Sequence, residues 1–325
     1  MLSVRAWVAC GYGIGAVIAC VACGNNDLQP IRDPAASDAA MGESLDAREP
    51  DVAPRDMTAV DAGSPSDAGE GTRCKRGIAA NDDPSTAFAS SATSPGISWW
   101  YNWAATSPGG ESRIEYVPML WGGGSLNQSV PKGSKYLLGF NEPNFKTQAN
   151  LTAQQAAADW PTVEAKAAAL GIPIVSPGVN FCGSASNSSQ CSDPAVTDPY
   201  TYLKDFFAAC QGCRVDYIAV HNYNCDLPAL RAYLEGNADA GGGLAGFEQF
   251  GKPLWLTEFA CDTSHSVADQ KAYMQAAVPY LESNPNVFRY AWFSAKPIPN
   301  AQLTNSDGTL TDLGTTYVGL DAQCR

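Results

Sequence analysis

Between residues 75 and 294 the chain carries eight short apolar runs separated by longer helical or loop segments. The runs are 75–80, 97–103, 114–121, 135–141, 172–178, 215–223, 253–260 and 288–294. A strand covered on both sides reads as a near-continuous apolar segment, and strands alternating with helices belong to parallel α/β architectures. Eight such repeats over about 250 residues predict a (β/α)8 TIM barrel. The competing architecture is an open doubly wound sheet, but no glycine-rich phosphate fingerprint follows any run, and the GYGIG at Gly11 lies before the alternation begins.

Two helices are legible between the runs. TAQQAAADWPTVEAKAAALG, from Thr152, has the alanine content of a helix and ends in a glycine, with Pro161 implying a break or restart. Residues 267–283 read as a helix stopped by Asn284-Pro285.

A barrel puts its chemistry at the C-terminal ends of its strands. Those ends carry Asn102 and Trp103, Trp121, Asn141-Glu142, Ser176-Pro177, His221-Asn222-Tyr223, Glu258 and Trp292. This polar and aromatic set has the character of a carbohydrate cleft. Glu142 ends the fourth run and Glu258 the seventh, positions that face each other across a barrel mouth. A pair of carboxyl groups flanking one bond is what glycoside hydrolysis needs, one to protonate the departing oxygen and one to attack or to activate water.

Plainer readings stand beside these. Glu142 in Asn-Glu-Pro also reads as a solvated turn acid, His221 as a satisfied core histidine, and Asn102 as the cap of a loop. Trp99 and Trp255 lie inside their runs and read as core, whereas Trp121 and Trp292 fall at run ends. The only other histidine is His265, so no histidine metal set is available and no metal or cofactor is expected.

The segment before the barrel has a different composition. Residues 1–23 hold one early charge, Arg5, and then an apolar, small-residue stretch ending Val17-Ile18-Ala19-Cys20, the pattern of an export signal. It resembles a lipoprotein signal lipidated at Cys20 or Cys23; a simple cleaved signal and an uncleaved anchor are the alternatives. Residues 24–72 contain no Phe, Trp or Tyr, and their eleven acids against three arginines give −8 of the chain's −13. Such a stretch cannot bury enough apolar surface to order itself, so an acidic, disordered linker is expected, followed by a catalytic domain over 73–325. The acidity is therefore mostly the linker's. No basic patch interleaved with aromatics appears, which argues against nucleic acid.

Eight of the eleven cysteines lie between Cys74 and Cys324, an even number that suits disulfides in an exported domain. Eight cysteines allow 105 pairings. Cys182 with Cys191 would clip a Ser/Asn-rich loop, Cys210 with Cys213 would close a tight turn, and Cys74 with Cys324 would tie the domain's ends together. Cys225 and Cys261 each lie just past a run end. A redox role for CQGC at Cys210 lacks a thioredoxin-like setting.

The segments KRGIA, YNWAATSP, EYVPMLWG, LLGFNEPN, IVSPGV, VDYIAVHNY, PLWLTEFAC and YAWFSAK, in this order, resemble glycoside hydrolase family 128, the glycosyl hydrolase catalytic-core group of endo-β-1,3-glucanases. The resemblance spans residues 75–294. It implies a retaining endo-β-1,3-glucanase with Glu142 as acid/base and Glu258 as nucleophile. A cofactor-free, monomeric enzyme is expected, and the alternatives are a barrel glycosidase for another β-glycan linkage and a non-catalytic surface glucan-binding lipoprotein. Asn102, Trp121, Asn141, His221, Tyr223 and Trp292 are the expected substrate-binding residues, Asn141 toward the sugar 2-hydroxyl, with Tyr223 also placed to hold Glu258. The resemblance departs at Asn144, where an aspartate is expected after Asn-Glu-Pro.

Overall fold

In the computed structural model, residues 74–88, 97–108, 114–184, 186–237, 245–322 and 324 are described. The signal, lipidation and linker expectations fall on residues before these. Eight strands follow in chain order: β1 (Arg76–Ala80), β2 (Trp99–Tyr101), β3 (Glu115–Tyr116), β4 (Leu137–Leu138), β5 (Ile174–Val175), β6 (Ile218–Asn222), β7 (Leu254–Phe259) and β8 (Val287–Ser294). Parallel pairing runs β3-β2-β1-β8-β7-β6, with β4-β5 as a separate pair. Single parallel bridges join the two groups: Met119 to Leu138 on one side, Val175 to Tyr217 and Val179 to Val220 on the other. Each strand thus neighbours its successor and the eighth returns to the first, which is the closed (β/α)8 ring.

Three strands are much shorter than their apolar runs. Pro118 interrupts the third run, and Pro173 and Pro177 flank β5. Proline has no N–H to donate to a ladder, so regular pairing shrinks to single bridges there without opening the ring. Helix α1 (Ser85–Phe88) follows β1, α2 (Ala153–Leu170) follows β4, α3 (Pro199–Ala209) follows β5, α4 (Leu227–Glu235) follows β6, α5 (Val267–Ser283) follows β7 and α6 (Asp312–Gly319) follows β8.

Helix α2 corrects one expectation. It runs unbroken through Pro161, started by a Thr152–Gln155 capping box and ended by Gly171 at φ 65°. The proline costs a backbone hydrogen bond, and the buried face of Ala156, Ala157, Trp160, Val163 and Ala167 holds the helix together. Asn284 caps α5, where the sequence places a stop.

The barrel interior is aromatic. Trp255 of β7 touches Trp99 of β2, Tyr136, Tyr217 and Phe288, residues from strands all around the ring. Within this cluster the Arg289 guanidinium lies over the Tyr136 ring at 4.6 Å and makes two 2.9 Å bonds to Glu115. A buried guanidinium needs such pairing to offset its lost hydration. Four disulfides join Cys74 to Cys324, Cys182 to Cys191, Cys210 to Cys213 and Cys225 to Cys261. The first links the segment before β1 with the segment after α6, and the last links the ends of neighbouring strands β6 and β7.

Candidate active site

Glu142 is set at the barrel mouth by its own backbone. Asn141 N–H donates to Trp121 O at 2.9 Å and Glu142 N–H to Gly178 O at 2.8 Å, so the chain after β4 stays laced between its neighbours. At Glu142 it then turns with φ 38°, a left-handed conformation that a non-glycine residue adopts only where its surroundings enforce it.

Glu258 reaches the interior through a register shift. Val220 pairs with Leu256 but His221 with Glu258, so Thr257 is one residue extra in β7. Trp255 faces the barrel interior; strict alternation from it would send Glu258 outward with Leu256. The added residue reverses the parity and turns Glu258 inward, a known use of bulges beside functional sites.

Glu142, His221 and Glu258 converge, each offering one atom within 4.8 Å of the others'. His221 Nδ1 lies 2.9 Å from Glu142 Oε1 and 3.4 Å from Glu258 Oε2. Glu258 accepts at both oxygens: Tyr101 OH at 2.9 Å and Trp103 Nε1–H at 2.7 Å on Oε1, and the Tyr223 hydroxyl on Oε2. Glu142 is 9 % exposed, Glu258 4 % and His221 not at all. Burial raises the Glu142 carboxyl above its ordinary range, His221 holds part of the rise back, and the Glu258 charge adds to it. For His221, burial opposes protonation, but the Glu258 and Glu142 carboxylates outweigh it and the net shift is upward. Gly178 makes room for the imidazole, since a Cβ there would lie 2.9 Å from Nε2.

The other expected residues divide. Asn141 is buried, donates to Gln148 Oε1 at 3.3 Å, and its Oδ1 has no partner among the described residues. Trp121 is half-buried at the mouth. Asn102 Oδ1 accepts from Tyr116 OH at 2.5 Å and from Ala104 N–H at 3.2 Å, which braces the turn after β2. Trp292 is the clear correction. It is wholly buried against Phe259 and Tyr317, with Nε1–H donated to Ala301 O at 2.9 Å, behind the sheet and away from the carboxylates. Its neighbour Phe293 occupies the inner face, against Trp103 and Tyr223. One residue along a strand changes the face.

Of the three donors to Glu258, Tyr101 is not among the run-end residues, and Trp103 is among them without an assigned role. The signal for Tyr101 is its alternation with Trp99 in β2, which puts both on the inner face; Trp103 lies beyond the strand at φ 62°, so alternation does not place it. The unexpected Asn144 also has a physical fit. It is buried, and its Nδ2 donates to Asn180 O at 2.6 Å, a bond that an ionised aspartate could not make.

Comparison with known proteins agrees with this fold. The glycosyl hydrolase catalytic core family model matches residues 77–317. The alkali-sensitive linkage protein 1 of Schizosaccharomyces pombe is 30 % identical over 262 residues, covering 75 % of this chain and 44 % of that longer protein. The chain thus spans under half the length of this relative. Among solved structures, a family 128 subgroup II endo-β-1,3-glucanase from Sorangium cellulosum is 42 % identical with a TM-score of 0.63, covering 76 % of this chain and 98 % of that one. A subgroup III curdlan-specific exo-β-1,3-glucanase from Blastomyces gilchristii, in complex with glucose, is 30 % identical with a TM-score of 0.56, at 76 % and 98 % coverage. A barrel with two carboxylates at the ends of β4 and β7, matched along its length by such relatives, belongs to glycoside hydrolase family 128, within the glycosyl hydrolase catalytic core.

Proposed function

We propose that the chain is a retaining endo-β-1,3-glucanase, with Glu142 as acid/base and Glu258 as nucleophile. The observation that carries this reading is the approach of the two carboxyl groups, an oxygen of each lying within 4.8 Å of the other's. Retaining glycosidases hold the pair about 5–5.5 Å apart, whereas inverting ones leave about 6.5–9.5 Å for a water molecule. The linkage follows from the Sorangium and Blastomyces relatives, both β-1,3-glucanases.

The roles follow from the two environments. Glu142, raised by burial, holds a proton where an ordinary carboxyl would have lost it. Glu258, with donors on both oxygens, is fixed in direction. A Glu258 oxygen attacks the anomeric carbon, the bond from that carbon to the glycosidic oxygen breaks, and the departing oxygen takes the Glu142 proton. The charge of Glu258 vanishes in the glycosyl ester, so Glu142 becomes the stronger acid and, now ionised, acts as base. It takes a proton from water as the water oxygen bonds to the anomeric carbon, and the ester bond breaks to restore Glu258. The buried, unpaired Oδ1 of Asn141 beside Glu142 suits a sugar hydroxyl donor, since an unsatisfied acceptor costs about 1–3 kcal/mol. A 2-hydroxyl is free in a β-1,3 linkage. Trp121 at the mouth would border the sugar.

In this reading residues 1–23 export the protein, a lipid on Cys20 or Cys23 holds it at a membrane, and residues 24–72 tether a monomeric catalytic domain. The disulfides favour a compartment outside the cytoplasm.

The test is incubation of the purified chain with linear β-1,3-glucan, β-1,4-glucan and xylan, following reducing ends, product sizes and product anomer. Short β-configured oligosaccharides from the β-1,3 polymer alone, abolished in Glu258→Gln, are the expected result. Release of glucose only would mean exo action, as in the Blastomyces relative, and inverted product would overturn the roles.

A further inference from the structure

We propose that Ser192 and the loop clipped by the Cys182–Cys191 disulfide hold the Glu142 carboxyl in its working direction, so that Ser192 is a positioning residue for the acid/base. The inference rests on the role given to Glu142 above. Its starting point is the strained backbone of Glu142, at φ 38°. A side chain aimed from such a backbone needs an external frame, because nothing in the local chain favours that conformation.

The frame comes from the disulfide loop, in which four consecutive residues of the turn after Glu142 find partners. Ser192 Oγ–H donates to Pro143 O at 2.6 Å, and Ser192 N–H donates to Asn144 O at 2.8 Å. Phe145 forms an antiparallel bridge with Cys191, and Lys146 N–H donates to Gln190 O at 2.8 Å. Asn144 Nδ2–H also donates to Asn180 O, two residues before Cys182. Both cysteines are buried, and Cys191 is adjacent to Ser192 in the chain. The disulfide therefore joins the two segments that grip the turn, and the turn holds Glu142. Glu258 has no comparable dependence: its donors stand on β2, the turn after it, and the end of β6. Loss of the grip should harm proton transfer and leave the nucleophile in place.

Ser192→Ala removes the hydroxyl to Pro143 O and keeps the backbone pairing. It should lower kcat on β-1,3-glucan about tenfold, the scale of one hydrogen bond, with KM within about twofold. The decisive readout is an aryl β-glycoside of a short β-1,3-gluco-oligosaccharide whose phenol leaves without protonation. On that substrate the variant should stall at the glycosyl ester, and added azide, which needs no base, should restore turnover and yield the glycosyl azide. Ser192→Thr, keeping the hydroxyl, should restore glucan activity. A Cys182→Ser/Cys191→Ser protein should show the same azide rescue as Ser192→Ala, but stronger. A wild-type protein inert toward glucan would sink the proposed function itself. An active wild type beside an unimpaired Ser192→Ala, or an impaired variant that azide does not rescue, would overturn the positioning role alone.

Discussion

His221 Nδ1 lies 2.9 Å from Oε1 of Glu142, and this bond restrains the rise in the carboxyl's proton affinity. Burial pushes the Glu142 carboxyl upward, and the imidazole pulls it back. In the proposed mechanism glycosyl transfer to Glu258 needs Glu142 protonated, so kcat/KM should fall as pH rises through the raised value. Replacing His221 by alanine removes the restraint, and the alkaline limb should then move to higher pH while the rate falls. A pH profile of both proteins checks this; a limb that stays put or moves down would deny His221 that influence.

The two carboxylates should also differ in how their loss is felt. Glu142→Gln should lower kcat on glucan by about 10²–10⁴, the usual worth of a positioned acid or base. Azide should rescue it on an activated aryl glycoside, whereas Glu258→Gln should be rescued on neither substrate with retained configuration. Product analysis by NMR distinguishes the cases.

Trp292 and Phe293 should separate stability from activity. Trp292→Ala opens a cavity against Phe259 and Tyr317 and orphans the Ala301 carbonyl, at a cost of about 3–5 kcal/mol, with KM unchanged in the folded protein. Phe293→Ala loosens Trp103 and Tyr223, which hold Glu258, and should lower kcat beyond its effect on stability. Thermal melts alongside kinetics would refute this if Trp292 proved the more important for KM.

Asn144→Asp tests the departure from the family pattern. The amide donates to the Asn180 carbonyl, and an ionised carboxylate there would face an acceptor without a proton between them. The loss should be about 1–3 kcal/mol at neutral pH. Protonation restores a donor, so the folded state would raise this acid's pKa, and the variant's deficit should grow as pH rises through that window. Equal stability of the two proteins across pH would contradict the assignment.

The Cys74–Cys324 disulfide closes a sequence separation of 250 and ties the segment before β1 to the one after α6. Cys74→Ser/Cys324→Ser should lose about 2–5 kcal/mol of stability, with kcat at low temperature intact, because Cys74 precedes β1, at the N-terminal end of the parallel strands, whereas the carboxylates stand at their C-terminal ends. Denaturant unfolding measures the first and kinetics the second.

Much of the architecture was legible because it depends on local chemistry. Apolar runs separated by helical segments define a parallel β/α order, and a carboxylate at the end of the fourth and seventh runs is placed at the mouth by that order alone. Asp198, Asp226 and Ser266 cap α3, α4 and α5 through side chains that the sequence displays openly. The sequence by itself thus determined the barrel, the strands bearing Glu142 and Glu258, and the supply of cysteines. Tertiary structure decided which face each mouth residue presents. Strands buried on both sides give no polar alternation from which to read a face, so Trp292 and Phe293 look equally eligible. The extra residue Thr257, which turns Glu258 inward, has no local signature, since a bulge exists only relative to the strand beside it. The same holds for Ser192: its place beside the acid's turn arises from a disulfide-clipped loop meeting another loop some fifty residues away in the chain.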